Sequence, residues 1–350
     1  MDKLCGLITL LGSGETSLAG GRIFETVSSQ LPQPLHVSIL ETPAGFELNS
    51  VQVAGRVGEF LRSRLKNFDP EVDIIPARKR GTVFSPDDEN ILASLKSANL
   101  IFMGPGSPTY AIRQLKNSLA WKVMLARQRM GAALVFASAA TIAIGQWGLP
   151  VYEIYKVGDE PRRLPGLDLF GHFGLHLSFV PHWNNSDGGK DVDTSRCFIG
   201  KDRFLQWYDQ LPPGDIVIGL DEHTGLIFDL STQKCIVQGV GTITVLCSHK
   251  ATVIKAEGEF PLSNLGEFHV PKNYSRAIYS SAYPQRAVNP LDEYNKPTEE
   301  VLRLLNARKE ARDQKDWPAA DEIRGRLSEL GWQVRDTLVD QILVKKGGHG

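Results

Sequence analysis

Cysteine is scarce in this 350-residue chain: the four present, Cys5, Cys197, Cys235 and Cys247, stand far apart. They form no CxxC pair and have no histidine at ligand spacing. That excludes a zinc module and a disulfide scaffold, and leaves buried free thiols in a reducing compartment with no metal. An excess of one charge is lacking as well. Thirty-nine Lys+Arg against 40 Asp+Glu give a net charge of -1, so no global attraction draws the chain to nucleic acid, membrane or acidic polymers. Long apolar runs are missing too. The stretch from Leu4 to Leu11 meets Gly12 too soon to span a bilayer, and it lacks the cleavage-site pattern of a signal peptide. The expectation is a cytoplasmic protein with no membrane contact. Its 42% hydrophobic and 23% charged fractions suit a globular chain of two domains, or of one large domain with an appendage.

What is present is an alternation of short apolar runs and amphipathic stretches. Strands are expected at Leu7–Leu11, His36–Leu40, Val72–Ile75, Leu100–Met103 and Ala132–Ala137. Helices are expected near Ala19–Gln30, Asn49–Phe68, Asp87–Lys96 and Ala111–Arg129. Strands separated by helices indicate an α/β fold with a mostly parallel sheet covered on both faces, a three-layer arrangement. Beyond about residue 170 the runs Gly174–Val180, Asp215–Leu220, Gly225–Leu230, Ile236–Val240, Ile243–Cys247 and Ala251–Lys255 are joined by tight turns. They suit an antiparallel extension or edge of the same sheet.

A first domain over residues 1–262 is therefore followed by a proline-punctuated linker or wrapping arm over 263–297. The tail, 298–346, holds a small helical hairpin, Glu299–Gln314 and Pro318–Leu330, and a short strand at Gln341–Val344. Asp316 is placed to cap the second helix and Gly331 to stop it.

The local feature richest in chemistry is Leu134-Val135-Phe136-Ala137-Ser138-Ala139-Ala140. A serine between a buried strand and a run of small residues can occupy a sharp elbow over the carboxyl edge of the sheet. The Ala139 N–H then faces the same space as one oxyanion donor. A nucleophilic serine needs a base. His182, at the end of a strand in Val180-Pro181-His182-Trp183-Asn184-Asn185, is better placed than His172, His176, His249 or His269. The carboxylate that would orient the imidazole is Glu222 in the turn after a strand, Glu153 beyond the short helix that follows Ser138, or Asp221. The turn Met103-Gly104-Pro105-Gly106-Ser107-Pro108-Thr109 precedes a helix, and Gly106 is its candidate second oxyanion donor. A rival dinucleotide-binding reading of Gly12-Ser13-Gly14, with Glu41 ending the second strand, lacks the third glycine, whose place is held by Ser17.

Taken in order, GSGE (Gly12–Glu15), FMGPGSP (Phe102–Pro108), ASAA (Ala137–Ala140), PHW (Pro181–Trp183), IGLDEHTGL (Ile218–Leu226) and VGTITVL (Val240–Leu246) resemble the cyanophycinase and aspartyl dipeptidase family of serine peptidases. The likeness runs from about Leu7 to Ala256. It implies a class I glutamine amidotransferase-like fold and cleavage of a peptide or amide bond without a cofactor. Ser138 would be the nucleophile and His182 the catalytic histidine. Glu222 matches the family's acidic residue, while Glu153 matches the shorter spacing of dipeptidase-like members. The family elbow reads G-x-S-A-G, and here Phe136 and Ala140 stand for both glycines. Arginines usual after the family histidine are replaced by Asn184, Asn185 and Asp187. That leaves Asn184, Asn185 and Arg196, or Arg203 in place of Arg196, as candidate substrate contacts.

The tail, with KDWPAADEIRGRLSELGW, resembles the C-terminal helical segment of cysteinyl-tRNA synthetases. HIGH and KMSKS signatures are absent, which excludes aminoacylation. Arg308, Lys309, Arg312 and Lys315 form a basic run that suggests contact with tRNA. Interleaved Glu310, Asp313, Asp316, Asp321 and Glu322 make a solvated helix with i,i+4 pairs the plainer reading. Trp317, Leu327, Leu330 and Trp332 suit packing, a protein contact or a homo-oligomer. Two functions stand side by side at this point: a serine hydrolase acting on a small peptide or amide, and a catalytically inactive binding or regulatory protein that works through its tail.

Overall fold

The computed structural model describes residues 5–269, 299–336 and 341–345. The chain divides into two compact units, Met1–Ala282 and Tyr283–Gly350. From residue 270 onward the arm expected over 263–297 lies outside the described residues.

The first unit begins with β1 (Ile8–Leu11), α1 (Leu18–Ser28), β2 (Leu35–Leu40), α2 (Ser50–Arg64), β3 (Pro70–Ile75) and β4 (Leu100–Met103). It continues through α3 (Pro108–Leu115), α4 (Leu119–Arg129), β5 (Ala133–Ala137) and α5 (Ala139–Ala143). Strands β1, β4 and β5 are buried at every position, as apolar runs enclosed by helices on both faces should be. At the rim, β3 alternates between half-buried and exposed positions until Ile75, which is buried. Phe24 of α1 meets Phe102 of β4 with ring centroids 5.7 Å apart, inside a core that also takes Val57 and Leu61 of α2. Each such side chain contributes roughly 2 kcal/mol through its removal from water.

Two helix expectations are corrected. Residues 87–96 form turns ending in a 3-10 turn at Ser94–Lys96. Asp88 Oδ1 accepts the backbone N–H groups of Asn90 and Ile91 there, a local bond that competes with helix. The helix expected over Ala111–Arg129 is split in two. Asn117 adopts φ +63, and the Ser118 side chain caps α4 by accepting from Trp121 N–H.

The chain then forms β6 (Trp147–Gly148), β7 (Leu164–Pro165), β8 (Leu177–Val180), α6 (Lys201–Tyr208), β9 (Ile216–Leu220) and β10 (Thr224–Asp229). After these come β11 (Lys234–Gly239), β12 (Thr242–Cys247), β13 (Lys250–Lys255) and β14 (Glu259–Pro261). The main sheet has the order β14-β11-β10-β1-β5-β4-β2-β3. It is parallel from β1 to β3 and antiparallel from β1 through β10 to β14. The expected antiparallel extension is therefore present, but it takes only part of the later strands. Four others form a second sheet, β13-β12-β9-β8, and β6 pairs with β7 alone. Residues Asp221–His223 carry the chain from one sheet to the other, with His223 at φ +56. Leu220 pairs with Ile243 in the second sheet, whereas Gly225 pairs with Leu11 in the first. Parallel pairing of β8 with β9 brings the ends of both strands to one place, close to the end of β1.

In the second unit α7 (Glu299–Asp313) and α8 (Trp317–Glu329) are followed by β15 (Trp332–Asp336) and β16 (Gln341–Lys345), an antiparallel pair. Asp316 caps α8 by accepting from Ala319 N–H at 3.2 Å, and Gly331 leaves the helix at φ +82. Leu327 and Trp332 enter a small core with Val301 and Val334, whereas Trp317 and Leu330 stay exposed.

Candidate active site

Ser138 joins β5 to α5 with φ +51 and ψ -116, a conformation that costs a non-glycine residue on the order of 1–3 kcal/mol. Surrounding bonds hold it there. Its N–H donates to Leu11 carbonyl at 3.2 Å, and the buried Thr141 hydroxyl lies 3.1 Å from the carbonyls of both Leu11 and Phe136. Phe136 and Ala140, which replace the family glycines, both keep negative φ and are fully buried. The strained φ falls on Ser138 alone, so glycine is not required on either side of it.

His182 follows β8 with φ +49. Its N–H donates to Gly12 carbonyl at 3.3 Å, and its own carbonyl accepts from Asn185 and Cys197 N–H groups at 3.2 and 3.1 Å. The ring is thereby set between two partners: Nε2 lies 3.0 Å from Ser138 Oγ, and Nδ1 lies 2.8 Å from Glu222 Oε1. A neutral ring facing an ionised Glu222 carries its proton on Nδ1, so Nε2 accepts from the serine hydroxyl; the hydrogen-bond network assigns this tautomer.

Glu222 stands in the crossover between the two sheets. Asn184 Oδ1 accepts its backbone N–H at 2.8 Å, and Asn185 Nδ2 donates to Oε1 at 3.1 Å. Both asparagines, expected against substrate, are engaged with Glu222. Burial raises the affinity of this carboxyl for a proton. Hydrogen bonds from His182 and Asn185, with the fields of His182 and His223, outweigh it, so the pKa falls below the ordinary carboxylate range.

The other two acids lie elsewhere. Asp221 is buried, and its Oδ2 accepts from both the N–H and the hydroxyl of Thr242 at 2.8 Å. Glu153 opens a π-helical turn over Glu153–Val157 and lines a cavity of about 540 Å³ with Lys79, Tyr110, Arg113 and Tyr152; no hydrogen bond joins it to His182.

Arg196 also departs from expectation. Its guanidinium lies 3.8 Å over the Trp183 ring and donates to Trp183 carbonyl at 2.8 Å. Burial pushes its pKa down against the opposing fields of Asp193 and Asp221. A planar cation stacked in this way is not presented as a carboxylate clamp. Arg203 is exposed on α6. His172, His176, His249 and His269 make none of the bonds found around Ser138.

Glycines close to the site are there for close approach. A Cβ on Gly106, at φ +144, would lie 2.1 Å from Pro43 carbonyl, which accepts Ser107 N–H at 2.9 Å. Ala139 opens α5, so its N–H has no acceptor inside the helix. A Cβ on Gly12 would lie 2.1 Å from Asp221 carbonyl, and Ser17 caps α1 by accepting Gly20 N–H. The Gly12-Ser13-Gly14 loop is thus packed on the turn that carries Glu222, which removes the ground for a dinucleotide loop. Sequence reading passed over Phe198, whose ring lies 5.1 Å from the His182 ring. Its placement depends on a left-handed backbone run that no residue type in the sequence announces.

In the tail, Arg308 is 1% exposed. It therefore drops out of the basic face expected of it, because α7 turns this side chain inward. Arg312 is half-buried with its guanidinium 5.6 Å over the Trp317 ring, and Lys309 and Lys315 are exposed.

Among solved structures, a peptidase from an acI-B1 Actinobacterium is 21% identical with a TM-score of 0.59, over 74% of this chain and 98% of that one. The two share a fold. A structure designated a peptidase E protein, from Listeria monocytogenes EGD-e, is 14% identical with a TM-score of 0.43, over 72% of this chain and 98% of that one. Residues 296–341 match the family model of the cysteinyl-tRNA ligase anticodon binding domain, in agreement with the resemblance seen in the tail. No curated protein matches the sequence. No helix among the described residues is long and apolar enough to cross a membrane, and among them no cluster of three or more His, Cys, Asp or Glu is arranged to hold a metal ion.

Proposed function

We propose that this chain is a serine hydrolase that cleaves a peptide or amide bond. The observation that carries the reading is the continuous chain from Ser138 Oγ to His182 Nε2 at 3.0 Å and from His182 Nδ1 to Glu222 Oε1 at 2.8 Å. The likeness of fold to a structure named a peptidase supports it.

Ser138 Oγ attacks the carbonyl carbon while its proton passes to His182 Nε2. Glu222 keeps the imidazole in the required tautomer and stabilises its charged form. The carbonyl oxygen, now an anion, sits against the N–H groups of Ala139 and Gly106. Each such donor lowers a barrier of this kind by about 3 kcal/mol. His182 then gives its proton to the leaving amine as the C–N bond breaks. Water repeats the sequence on the acyl-enzyme, releasing the acid and restoring Ser138. Glu222, rather than Glu153, is the orienting acid in this reading. No cofactor or metal enters it.

The test is covalent labelling with a fluorophosphonate and location of the adduct by mass spectrometry. Labelling at Ser138 that disappears in both Ser138→Ala and His182→Ala supports the reading. An unlabelled protein beside a reactive control hydrolase transfers it to a non-catalytic binding protein.

The tail supports a second, separate activity, contact with tRNA. The carrying observation is the match to a family named for anticodon binding, together with exposed Lys309 and Lys315 beside the Arg312–Trp317 pair. Filter binding of tRNA across a salt series tests it. Affinity that falls as salt rises, and less steeply after Lys309→Ala with Lys315→Ala, upholds it. Equal retention of tRNA by the full chain and by an unrelated acidic protein overturns it.

A further inference from the structure

Arg196, Cys197 and Phe198 are three successive non-glycine residues at φ +59, +61 and +69. A left-handed turn costs L-residues roughly 1–2 kcal/mol each, so the surrounding structure must hold it. Arg196 N–H donates to Trp183 carbonyl at 3.1 Å, Cys197 N–H to His182 carbonyl at 3.1 Å and Phe198 N–H to Thr194 carbonyl at 3.0 Å. The stacked Arg196 guanidinium makes a further bond to Trp183 carbonyl, and Cys197 is buried beneath the turn. Such strain at a site invites a functional explanation.

The turn delivers an aromatic ring. Phe198 lies 5.1 Å from the His182 ring at an interplanar angle of 48°, and on its other side Tyr155 stacks at 5.8 Å and 24°. Tyr155 comes from the π-helical turn Glu153–Val157, a second irregular backbone element of a kind often found at functional sites. Tyr152 extends the row, 5.8 Å beyond Tyr155. Two irregular segments, distant in sequence, thus combine to build a row of rings ending on the imidazole.

We infer that Phe198, backed by Tyr155, is a positioning residue for His182, holding the imidazole in the one orientation that faces Ser138 and Glu222 together. The two hydrogen bonds, at Nε2 and Nδ1, set which way round the ring lies. The Phe198 ring packed beside it limits rotation about the Cβ–Cγ bond and so keeps both bonds short at once. This inference rests on the reading of His182 as the base.

The test uses the full chain and two measurements. One is the rate of Ser138 labelling by a fluorophosphonate. The other is the ¹⁵N pattern of the histidine ring nitrogens, with His182 assigned by its loss in His182→Asn. Phe198→Tyr retains the ring and is expected to label within about twofold of the parent. Phe198→Leu, which keeps apolar volume, and Phe198→Ala are expected to label on the order of tenfold more slowly. In both, the His182 nitrogens move from a distinct donor and acceptor toward averaged values. Unchanged rate and nitrogen pattern in Phe198→Leu overturn the inference. A slower rate with an unchanged pattern overturns it as well, because the effect then bypasses the imidazole. If the parent protein does not label at all, the hydrolase reading fails, and the nitrogen pattern alone decides the positioning role.

Discussion

Asn185 donates its side-chain N–H to Glu222 Oε1 at 3.1 Å, the same oxygen that faces His182 Nδ1 at 2.8 Å. One carboxylate oxygen thus collects two donors, and Asn184 fixes the backbone that carries it. Asn185→Ala is expected to slow Ser138 labelling about tenfold by letting this oxygen drift from the imidazole. Asn185→Asp, which sets a second negative charge beside it, should slow labelling further. Equal rates in all three proteins, measured side by side, sink the claim.

Glu222 also has a pH signature. Its folded pKa is depressed, so its ionised form stabilises the native state. That contribution is complete above the ordinary carboxylate range and is lost as pH falls through the lower folded value. Glu222→Gln is expected to cost roughly 1 kcal/mol at pH 7, with the gap to the parent closing in strong acid. Urea unfolding of both proteins across pH gives the answer; a gap that widens toward acid has the wrong sign.

At Gly12 the restriction is steric. A Cβ there would stand 2.1 Å from Asp221 carbonyl, a contact that only backbone movement relieves. Gly12→Ala is expected to destabilise by about 1–3 kcal/mol and to slow labelling, because the displaced turn carries Glu222. A variant with parental melting temperature and labelling rate would show that this approach is not required.

The elbow makes a comparison between two inactive proteins informative. Ser138→Gly and Ser138→Ala both remove the hydroxyl, but only glycine accepts φ +51 without strain. Ser138→Gly is expected to be the more stable by about 1 kcal/mol. Thermal unfolding measures the difference, and a more stable alanine variant refutes stored strain at this position.

In the tail, Arg308 and Lys309 are neighbours in sequence but not in exposure. Arg308→Ala is expected to lower the melting temperature of the full chain's tail transition while leaving the salt dependence of tRNA binding unchanged. Lys309→Ala should do the reverse. A reduced salt slope for Arg308→Ala would contradict its burial.

Much of this protein was decided by local sequence. Apolar runs at β1, β4 and β5, separated by helical patterns, dictate a parallel sheet, because strands buried on both faces have no polar side to show. The passage from Phe136 to Ala140 announces a strand-to-helix elbow, and Asp316 with Gly331 marks the bounds of α8. His182 and Glu222 are each legible as residues just beyond a strand.

Tertiary structure decided which of these residues meet. In sequence Glu222 was the first candidate, Glu153 the second, and the adjacent Asp221 stayed open. Glu222 reaches His182 because the chain changes sheets at residues 221–223, whereas Asp221 is bound to Thr242 and Glu153 lines a cavity with Lys79 and Arg113. Asn184 and Asn185, named from the sequence as substrate contacts, meet Glu222 for the same reason. The division of the later strands between two sheets, the stacking of Arg196 on Trp183, the burial of Arg308 and the left-handed turn under Phe198 were equally out of reach. Residue type and spacing fix which side of a local element is apolar. They do not fix which long-range partner completes a hydrogen bond or compensates a strained backbone, since those partners are brought together only when the sheets close.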